Sequence, residues 1–332
     1  MKKLYRNATL IDAKAPQDLL VEEGKFTAIA PHIEADAAET IDLGGRLVVP
    51  PYVDPHLHLD YVYTARGEGA TNGTGTLFEG IQRWSETKAG ASSEEIKRRA
   101  RQAVREEVRA GVQYIRTHAD VTDPNLTALK ELLELREELK DIVTIQIVSF
   151  PQEGMYAYPH GAELVEEGLR LGADCVGGIP HYELAREFGE KSVHKAVELA
   201  VKYDKLIDLH CDTLTDCMYA GSNIIDTLDD PARTLSLTSI PKDIHWAQFF
   251  AVFVPDELRG EKAIRFFDDA CANFDRQMRK FADRVSPCRN VADMERAWAA
   301  GKTAAFLSVE NGSAFAGDLS RIGKTKRRAS AL

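Results

Sequence analysis

The sequence predicts an α/β fold in which strand-plus-helix units repeat along the middle of the chain, after a small β-module. The most regular strands begin about every 31 residues, which is the length of one strand, one helix and their connections. Their apolar runs lack strict alternation, as expected when both faces of a parallel sheet are buried. Such repeats are typical of a barrel or of a doubly wound open sheet, and the period alone favours neither.

The β-module is predicted from short apolar runs separated by turns. Leu19–Val21 and Phe26–Ile29 stand on either side of a Glu-Glu-Gly-Lys turn and therefore predict a hairpin. The Gly44-Gly45 pair predicts a further turn, and no long helical pattern interrupts the segment. Residues 1–50 are accordingly assigned to this module.

Helices and strands alternate from residue 92 onward. Ser92 and Glu95 form a capping box that starts a helix, and Asp123-Pro124 is the sequence of a second helix start. A third helix should stop at Gly172. The predicted strands are Val112–His118, Val143–Phe150, Cys175–Ile179, Leu206–His210, Phe249–Val254 and Thr303–Val309; the later helices are predicted at Ala162–Leu171, Val193–Tyr203, roughly 257–283, and Ala292–Trp298.

Composition limits the partners that the protein could have. Hydrophobic residues make up 44% and charged residues 28% of the 332 residues, which is ordinary usage for a globular protein. The net charge of −10 argues against nucleic acid or an anionic membrane, since both select basic surfaces. Five cysteines without a CxxC pair indicate a reducing compartment. We expect a cytoplasmic protein that acts on a small molecule.

Two histidines give the sharpest local signal for chemistry. His56 and His58 follow an apolar run, and residues two apart on a strand point to the same side, so both can bind one ion. His210 ends a later strand in the same way and is the natural third ligand. Neutral imidazoles bind zinc and iron. The alternative is that these are structural histidines at strand ends.

Residues 1 to about 212 resemble the cytosine deaminase branch of the amidohydrolase superfamily, and the specific motifs begin near residue 46. The resemblance implies a TIM-type barrel of which residues 51–213 supply the first five strands. It also implies one divalent metal, zinc or iron, bound by His56, His58 and His210, and a contact of Gln152 with the pyrimidine amide. The reaction implied is hydrolytic deamination of cytosine or a related ring, releasing ammonia. The motifs are PPYVDPHLHLD, GTLFEGIQRW, YIRTHADV, VSFPQEG, LRLGADCVGGIPHYE and KYDKLIDLHCD.

The chain departs from that family at its catalytic positions. The family's HCDE motif carries a proton-transferring glutamate, but this chain has Thr213 at that position. A threonine hydroxyl does not ionise near neutral pH, so it cannot take up and release the proton as a glutamate does. After His210 the only histidine is His245, and no segment resembles the motif that supplies the family's metal-binding aspartate. These departures predict weak or absent deaminase activity.

A second resemblance covers residues from about 207 to 323. This stretch is similar to the N-terminal half of the membrane (renal) dipeptidase family, which implies an alternative ligand set of His210, Asp212 and Glu310. We therefore predict a chimera, with a dipeptidase-like segment over 214–323 and a disordered tail over 324–332. The barrel is then expected to be incomplete or irregular, and an open sheet edge could produce homo-oligomers. Three functions follow: a deaminase-like hydrolase, a dipeptidase-like hydrolase, or an inactive remnant that binds metal or a nucleobase.

Overall fold

The structure of the chain, a computed structural model, is described here for most of its residues. The described residues are 2–11, 13–37, 39–66, 72–73, 77–210, 245–252, 254, 258–309, 312–318 and 320–322. Within them three β-sheets form, each from strands that are close in sequence. The predicted tail over 324–332 lies outside these residues.

The first sheet is the predicted small β-module. It has the strand order β3-β2-β1-β4, and β5 also pairs with β1. Its hairpin turns at Glu23 and Gly24, both with positive φ, which confirms the predicted hairpin. Leu4, Leu20 and Ile33 form a small core of its own. The strands are β1 Lys2–Leu10, β2 Gln17–Glu22, β3 Lys25–Ala30, β4 Glu39–Asp42 and β5 Leu47–Val48.

The second sheet carries the repeated strand-plus-helix units. Its five described strands are all parallel and lie in chain order, from β6 at one edge to β10 at the other. The strands are β6 Tyr52–Leu57, β7 Val112–Asp120, β8 Thr144–Phe150, β9 Cys175–Gly178 and β10 Leu206–Leu209. The helices that connect them are α1 Leu77–Lys88, α2 Ser93–Arg109, α3 Thr127–Leu139, α4 Gly161–Leu171 and α5 Arg186–Tyr203.

This sheet is curled as in a barrel. His58 follows β6 and His210 follows β10, at opposite edges, yet their Nε2 atoms are 3.3 Å apart. In a flat sheet the backbones of strands four places apart would be separated by about 19 Å, at roughly 4.8 Å per strand. The order also shows no reversal of the kind found in doubly wound sheets. The predicted fold class, an α/β TIM-type barrel after a β-module, is therefore confirmed, with five barrel strands in the described residues.

The helices pack on this sheet through one apolar face each. Leu129, Leu132 and Leu135 lie on one side of α3 and are at most 1% exposed. Burying each such side chain contributes roughly 1.5–3 kcal/mol.

Two neighbouring strands of this sheet approach each other closely at a glycine, because a Cβ at Gly177 would lie 2.6 Å from the Ser149 carbonyl oxygen. Glycine in β9 thus lets it approach the end of β8.

Helix ends follow local rules, with one correction. The Ser92 hydroxyl accepts the Glu95 N–H at 3.2 Å, and Gly172 ends α4 at a φ of 118°, both as predicted. The predicted start at Asp123-Pro124 was wrong, since α3 begins at Thr127. The Asp123 carboxylate accepts the N–H groups of Asn125 and of Thr127, the first residue of α3, and Leu126 is left-handed at a φ of 51°.

The helix α1 was not predicted from the sequence. It lies between β6 and α2; the sequence Thr76-Leu77-Phe78-Glu79 has the spacing of a capping box and could have indicated its start, although Gly80 lowers the helical propensity. Its Trp84 is 4% exposed, so the helix is anchored by an apolar residue. This helix also carries Lys88, which contacts the site described below.

The third sheet follows the segment 211–244 and is smaller. Its described strands are parallel in the order β11-β13-β12. Two strands were predicted after His210; β13 coincides with its prediction, and β12 is an addition. Phe250, Phe267 and Leu307 belong to a core separate from that of the second sheet. The elements are β11 Ala247–Val252, α6 Glu261–Lys280, β12 Val285–Pro287, α7 Val291–Ala299 and β13 Thr303–Val309.

No helix in the described part of the chain combines the length and apolar character needed to cross a membrane.

Candidate active site

Four histidines meet at the carboxyl ends of the parallel strands. They are His56, His58, His118 and His210, and the ligand atoms they offer all lie within 4.8 Å of one another. The ring centroids of His56 and His118 are 4.5 Å apart, and those of His56 and His210 are 4.6 Å apart. The structure thus brings together the three histidines singled out by the sequence and adds His118.

The backbone at the end of β6, where His56 and His58 lie, departs from regular strand pairing. The register between β6 and β7 shifts between Asp54 and Leu57. Pro55 in that interval has no N–H to give to the ladder, and the Asp54 carboxylate accepts the His56 N–H at 3.0 Å instead. Such an irregularity turns side chains away from their regular direction, as bulges near binding sites do.

Three of the histidines are held neutral. Burial, together with electrostatic interaction with the neighbouring His118, lowers the pKa of His56 to about 4. The same two causes hold the pKa values of His58 and His210 well below the usual range. A neutral imidazole keeps a lone pair available for a metal ion. The donor set is therefore the kind that suits zinc or a similar divalent ion.

A further observation supports a cation in this cluster. The Nδ1 atom of His58 is buried and has no hydrogen-bond partner among the described residues. Its Nε2 atom faces only the Nε2 atom of His210, at 3.3 Å. Buried polar atoms without partners are costly. A divalent cation bound by one nitrogen of each ring would take up lone pairs that otherwise have no donor, so the residues fit a metal.

His118 differs from the other three because both of its ring nitrogens face acceptors. Its Nδ1 is 3.4 Å from the carbonyl oxygen of Leu57, and its Nε2 is 3.2 Å from Oδ1 of Asp208. Asp208 also accepts a hydrogen bond of 2.8 Å from Arg116. Burial would raise the pKa of Asp208, but His118 and Arg116 outweigh it and hold that pKa below its usual range. This pattern favours an orienting role for His118 beside the three neutral histidines.

Sequence reasoning missed His118 as a site residue. It stands in the YIRTHADV motif near the end of β7, and it is fully buried. His118 could have been identified from its position, because it lies near the end of a predicted parallel strand, as His56 and His210 do. It was passed over because a lone histidine in an apolar strand gives no spacing pattern.

Gln152 lies two residues beyond β8, whose last residue packs against two of the histidines. Phe150, at the end of β8, packs its ring 4.3 Å from that of His210 and 5.6 Å from that of His58. The Gln152 side chain is only 4% exposed, and its Oε1 atom is buried without a partner among the described residues. A buried amide oxygen with no partner is the feature expected where a ligand supplies the missing donor.

An acidic network lies behind Gln152. The Asp120 carboxylate accepts hydrogen bonds from Trp84 Nε1 at 2.8 Å and from Lys88 Nζ at 2.9 Å. The Asp60 carboxylate accepts the Asp120 N–H at 2.8 Å, which ties the ends of β6 and β7 together. Burial and the negative charge of Asp120 raise the pKa of Asp60 to about 7. Lys88 thus lies against a group of carboxylates.

Three residues of the predicted sites cannot be placed. Thr213, at the family's glutamate position, lies outside the described residues, as do Asp212 and Glu310 of the alternative ligand set. Only His210 of that alternative set is described. The two predicted ligand sets therefore remain predictions.

The sequence profile of the amidohydrolase family matches residues 39–285. Among solved structures, the chain is similar to 5-methylcytosine deaminase from Klebsiella pneumoniae liganded with phosphonocytosine. That match has a TM-score of 0.65 and 31% identity, and it covers 99% of this chain and 85% of the other. N-isopropylammelide isopropylaminohydrolase from Burkholderia multivorans matches with a TM-score of 0.56 and 23% identity, over 95% of this chain and 76% of the other, and supports the fold alone.

Among curated proteins, the chain is 34% identical over 212 residues to N-isopropylammelide isopropyl amidohydrolase of Pseudomonas sp. (strain ADP). That match covers 62% of this chain and 52% of the relative, so the chain spans about half the length of this relative. The predicted chimera receives no support, because one family profile runs through the predicted junction near residue 212. The profile covers most of the chain, and the chain belongs to the amidohydrolase family.

Proposed function

We propose that this chain is a metal-dependent hydrolase of C–N bonds whose substrate is cytosine or a related aminopyrimidine. The observation that carries the proposal is the histidine cluster, in which His56, His58 and His210 are neutral at the carboxyl ends of barrel strands. The similarity to a structure of 5-methylcytosine deaminase supports the ring substrate.

His56, His58 and His210 would hold one divalent ion, zinc or iron. When bound, such an ion supplies Lewis acidity for attack of water on the ring carbon that carries the amine. In the overall reaction a carbon–oxygen bond forms, the exocyclic carbon–nitrogen bond breaks, and ammonia leaves. His118, held by Asp208, would orient the rings that surround the ion.

Gln152 would bind the ring edge. A side-chain amide carries both a donor and an acceptor, so it can pair with the N–H and C=O of a pyrimidine amide. Its buried, unpartnered Oε1 supports this role, because a ring N–H would complete its hydrogen bonding. Phe150 supplies an apolar surface against the histidines at the same strand end.

The proposed deamination requires a group that transfers protons to the ring and to the leaving amine. Thr213 stands where the resemblance implies a glutamate. We expect the chain to bind metal and ring more readily than it turns the ring over. We also expect that Thr213→Glu alone fails to produce robust deamination, because no described residue stands in for the family's aspartate ligand.

The test measures metal content and cytosine binding on the same purified chain, after addition of zinc or iron(II). Ammonia release is followed with cytosine, with 5-methylcytosine and with N-isopropylammelide, for which the Pseudomonas relative is named. Gln152→Leu should abolish ring binding and leave the metal in place, and His245→Gln should change neither. A chain that retains no metal and binds none of these rings would contradict the proposal. Cleavage of a dipeptide without ring binding would favour the dipeptidase-like alternative.

A further inference from the structure

The segment Pro151–Tyr158, here called the recognition loop, carries Gln152 and has no strand or helix ladder to fix it. It follows the end of β8 and precedes α4. A loop of this kind keeps one conformation only if side chains satisfy its backbone groups. Two charged residues from other parts of the chain, Glu183 and Lys88, contact it at its two ends.

Glu183 binds the far end of the recognition loop. Its Oε1 accepts the Met155 N–H at 2.7 Å, and its Oε2 accepts the N–H groups of Tyr156 at 3.1 Å and Ala157 at 2.8 Å. Three consecutive backbone donors thus point at one carboxylate. Hydrogen bonds to an ionised acceptor are roughly twice as strong as neutral ones. The carboxylate therefore replaces the missing backbone ladder.

The loop sequence is adapted to this carboxylate. Gly154 has a φ of +90°, and a Cβ there would lie 2.9 Å from Oε2 of Glu183. A side chain at this position would be strained and would also crowd the carboxylate. The start of α4 is close as well, because a Cβ at Gly161 would lie 2.6 Å from the Gly154 carbonyl oxygen. The loop is packed tightly on both sides.

Lys88 holds the near end of the recognition loop. Its ammonium donates hydrogen bonds to Glu153, the residue after Gln152, and to Asp120. Asp120 in turn accepts the Gln152 N–H through Oδ1, at 3.3 Å. Burial would lower the pKa of Lys88, but Asp120 and Glu153 outweigh it, so the ammonium stays charged. Gln152 is thereby fixed through its own backbone and through its neighbour.

We propose that Glu183 and Lys88 are positioning residues that present Gln152 to the substrate ring, although neither is part of the histidine cluster. The inference rests on the proposed ring-binding role of Gln152. Its physical content is that the amide of Gln152 gains affinity by being held in place before the ring arrives. Removing either clamp should loosen the loop and weaken ring binding without affecting the metal.

The test compares Glu183→Gln with the control Glu187→Gln, which changes an exposed glutamate in the first turn of α5. Hydrogen exchange of the amides of residues 155–157 is measured first, since it does not depend on any substrate. We expect exchange there to rise about tenfold or more in Glu183→Gln, from the loss of a charged acceptor. The control should leave it unchanged. Unchanged exchange in a folded Glu183→Gln variant would overturn the clamp.

Cytosine binding and metal content are then measured on the same variants. We expect the Kd for cytosine to rise about tenfold while the metal content stays at the wild-type level, a split that general unfolding would not produce. Looser exchange with unaltered cytosine affinity would overturn the positioning role. If the wild-type chain binds no cytosine, the proposed function fails, and the exchange result still decides whether Glu183 holds the loop.

Lys88 provides a second route if Glu183→Gln does not fold. Lys88→Met removes the ammonium, and Lys88→Arg keeps a positive charge beside Asp120 and Glu153. We expect Lys88→Met to raise exchange at residues 152–154 and weaken cytosine binding, with recovery in Lys88→Arg. Equal behaviour of Lys88→Met and the wild type would overturn the role of Lys88.

Discussion

The chain contains two parallel sheets of similar construction, and only one of them ends in a cluster of metal-binding side chains. The sheet β6–β10 carries four histidines at its strand ends. The sheet β11–β13 has a core of its own, and no group of three such side chains occurs among its described residues. Its His245 instead stacks on Trp298, with ring centroids 4.9 Å apart. The comparison teaches that parallel strands provide a place for a site, whereas particular residues provide the chemistry.

The two sheets differ most in what is buried near the strand ends. In β7 the last four residues include buried Thr117, His118 and Asp120, all with hydrogen-bond partners. In the smaller sheet the corresponding parts of the strands bury Val252 and Leu307 in an apolar core. Most buried polar groups in folded proteins have hydrogen-bond partners. The buried polar residues at the strand ends of the larger sheet therefore distinguish it from the smaller sheet. Matched substitutions in the two sheets test this difference.

The largest expected effect comes from removing one histidine of the cluster. His58→Ala should reduce metal affinity by more than the ~10–100-fold that loss of an outer-shell partner causes. His245→Ala, in the other sheet, is the matched control and should leave metal binding unchanged. Metal titration followed by elemental analysis of dialysed protein measures both. Equal metal loss in the two variants would contradict the assignment of metal binding to the histidine cluster of the larger sheet.

A core substitution in the smaller sheet should lower stability and leave metal binding unchanged, in contrast to His58→Ala. Phe267 is 1% exposed, and Phe267→Ala should lower the free energy of unfolding by about 3–5 kcal/mol. Metal content should stay at the wild-type level, because the histidine cluster belongs to a different core. Urea denaturation and metal analysis on one preparation check this. Loss of metal from the folded variant, at a temperature at which the wild type keeps its metal, would show that the two regions are coupled.

Acid should destabilise the metal-free chain through the histidines. The folded pKa of His56 is lowered to about 4 from an ordinary 6.5, so between these values the unfolded chain binds more protons. The stability that this group provides is present above pH 6.5 and is lost as pH falls toward 4. The melting temperature should therefore fall between pH 7 and pH 5, and less so in His56→Gln. An identical fall in His56→Gln and His245→Gln would contradict this origin.

The smallest effects are expected at helix starts, one associated with each sheet. Ser92 accepts the Glu95 N–H at the start of α2, and Asn290 accepts the Asp293 N–H at the start of α7. Ser92→Ala and Asn290→Ala should each cost about 1 kcal/mol of stability. Thermal denaturation of the two variants gives the comparison. A cost near zero at either position would mean that its cap is replaced by water.

Local order was largely predictable where short-range rules decide it. Gly172 ends α4, Ser92 caps α2, and Thr303–Val309 forms a strand, all as the sequence indicates. Prediction failed where a side chain competes with the backbone, as at Asp123, which delays α3 to Thr127. It also missed α1, whose residue Trp84 is anchored by contacts that are distant in sequence, a hydrogen bond to Asp120 and a ring contact with Tyr61.

The repeat of strand-plus-helix units, and the position of His56 and His58 near a strand end, could be read from the amino-acid sequence, because periods and spacings are properties of neighbouring residues. The curling of the sheet, which brings His58 to His210 and His118 to Asp208, became visible only in the folded chain. Only the tertiary structure placed Lys88 between Asp120 and Glu153, which are 32 and 65 residues away. Such contacts depend on how distant elements pack, and no local pattern records them.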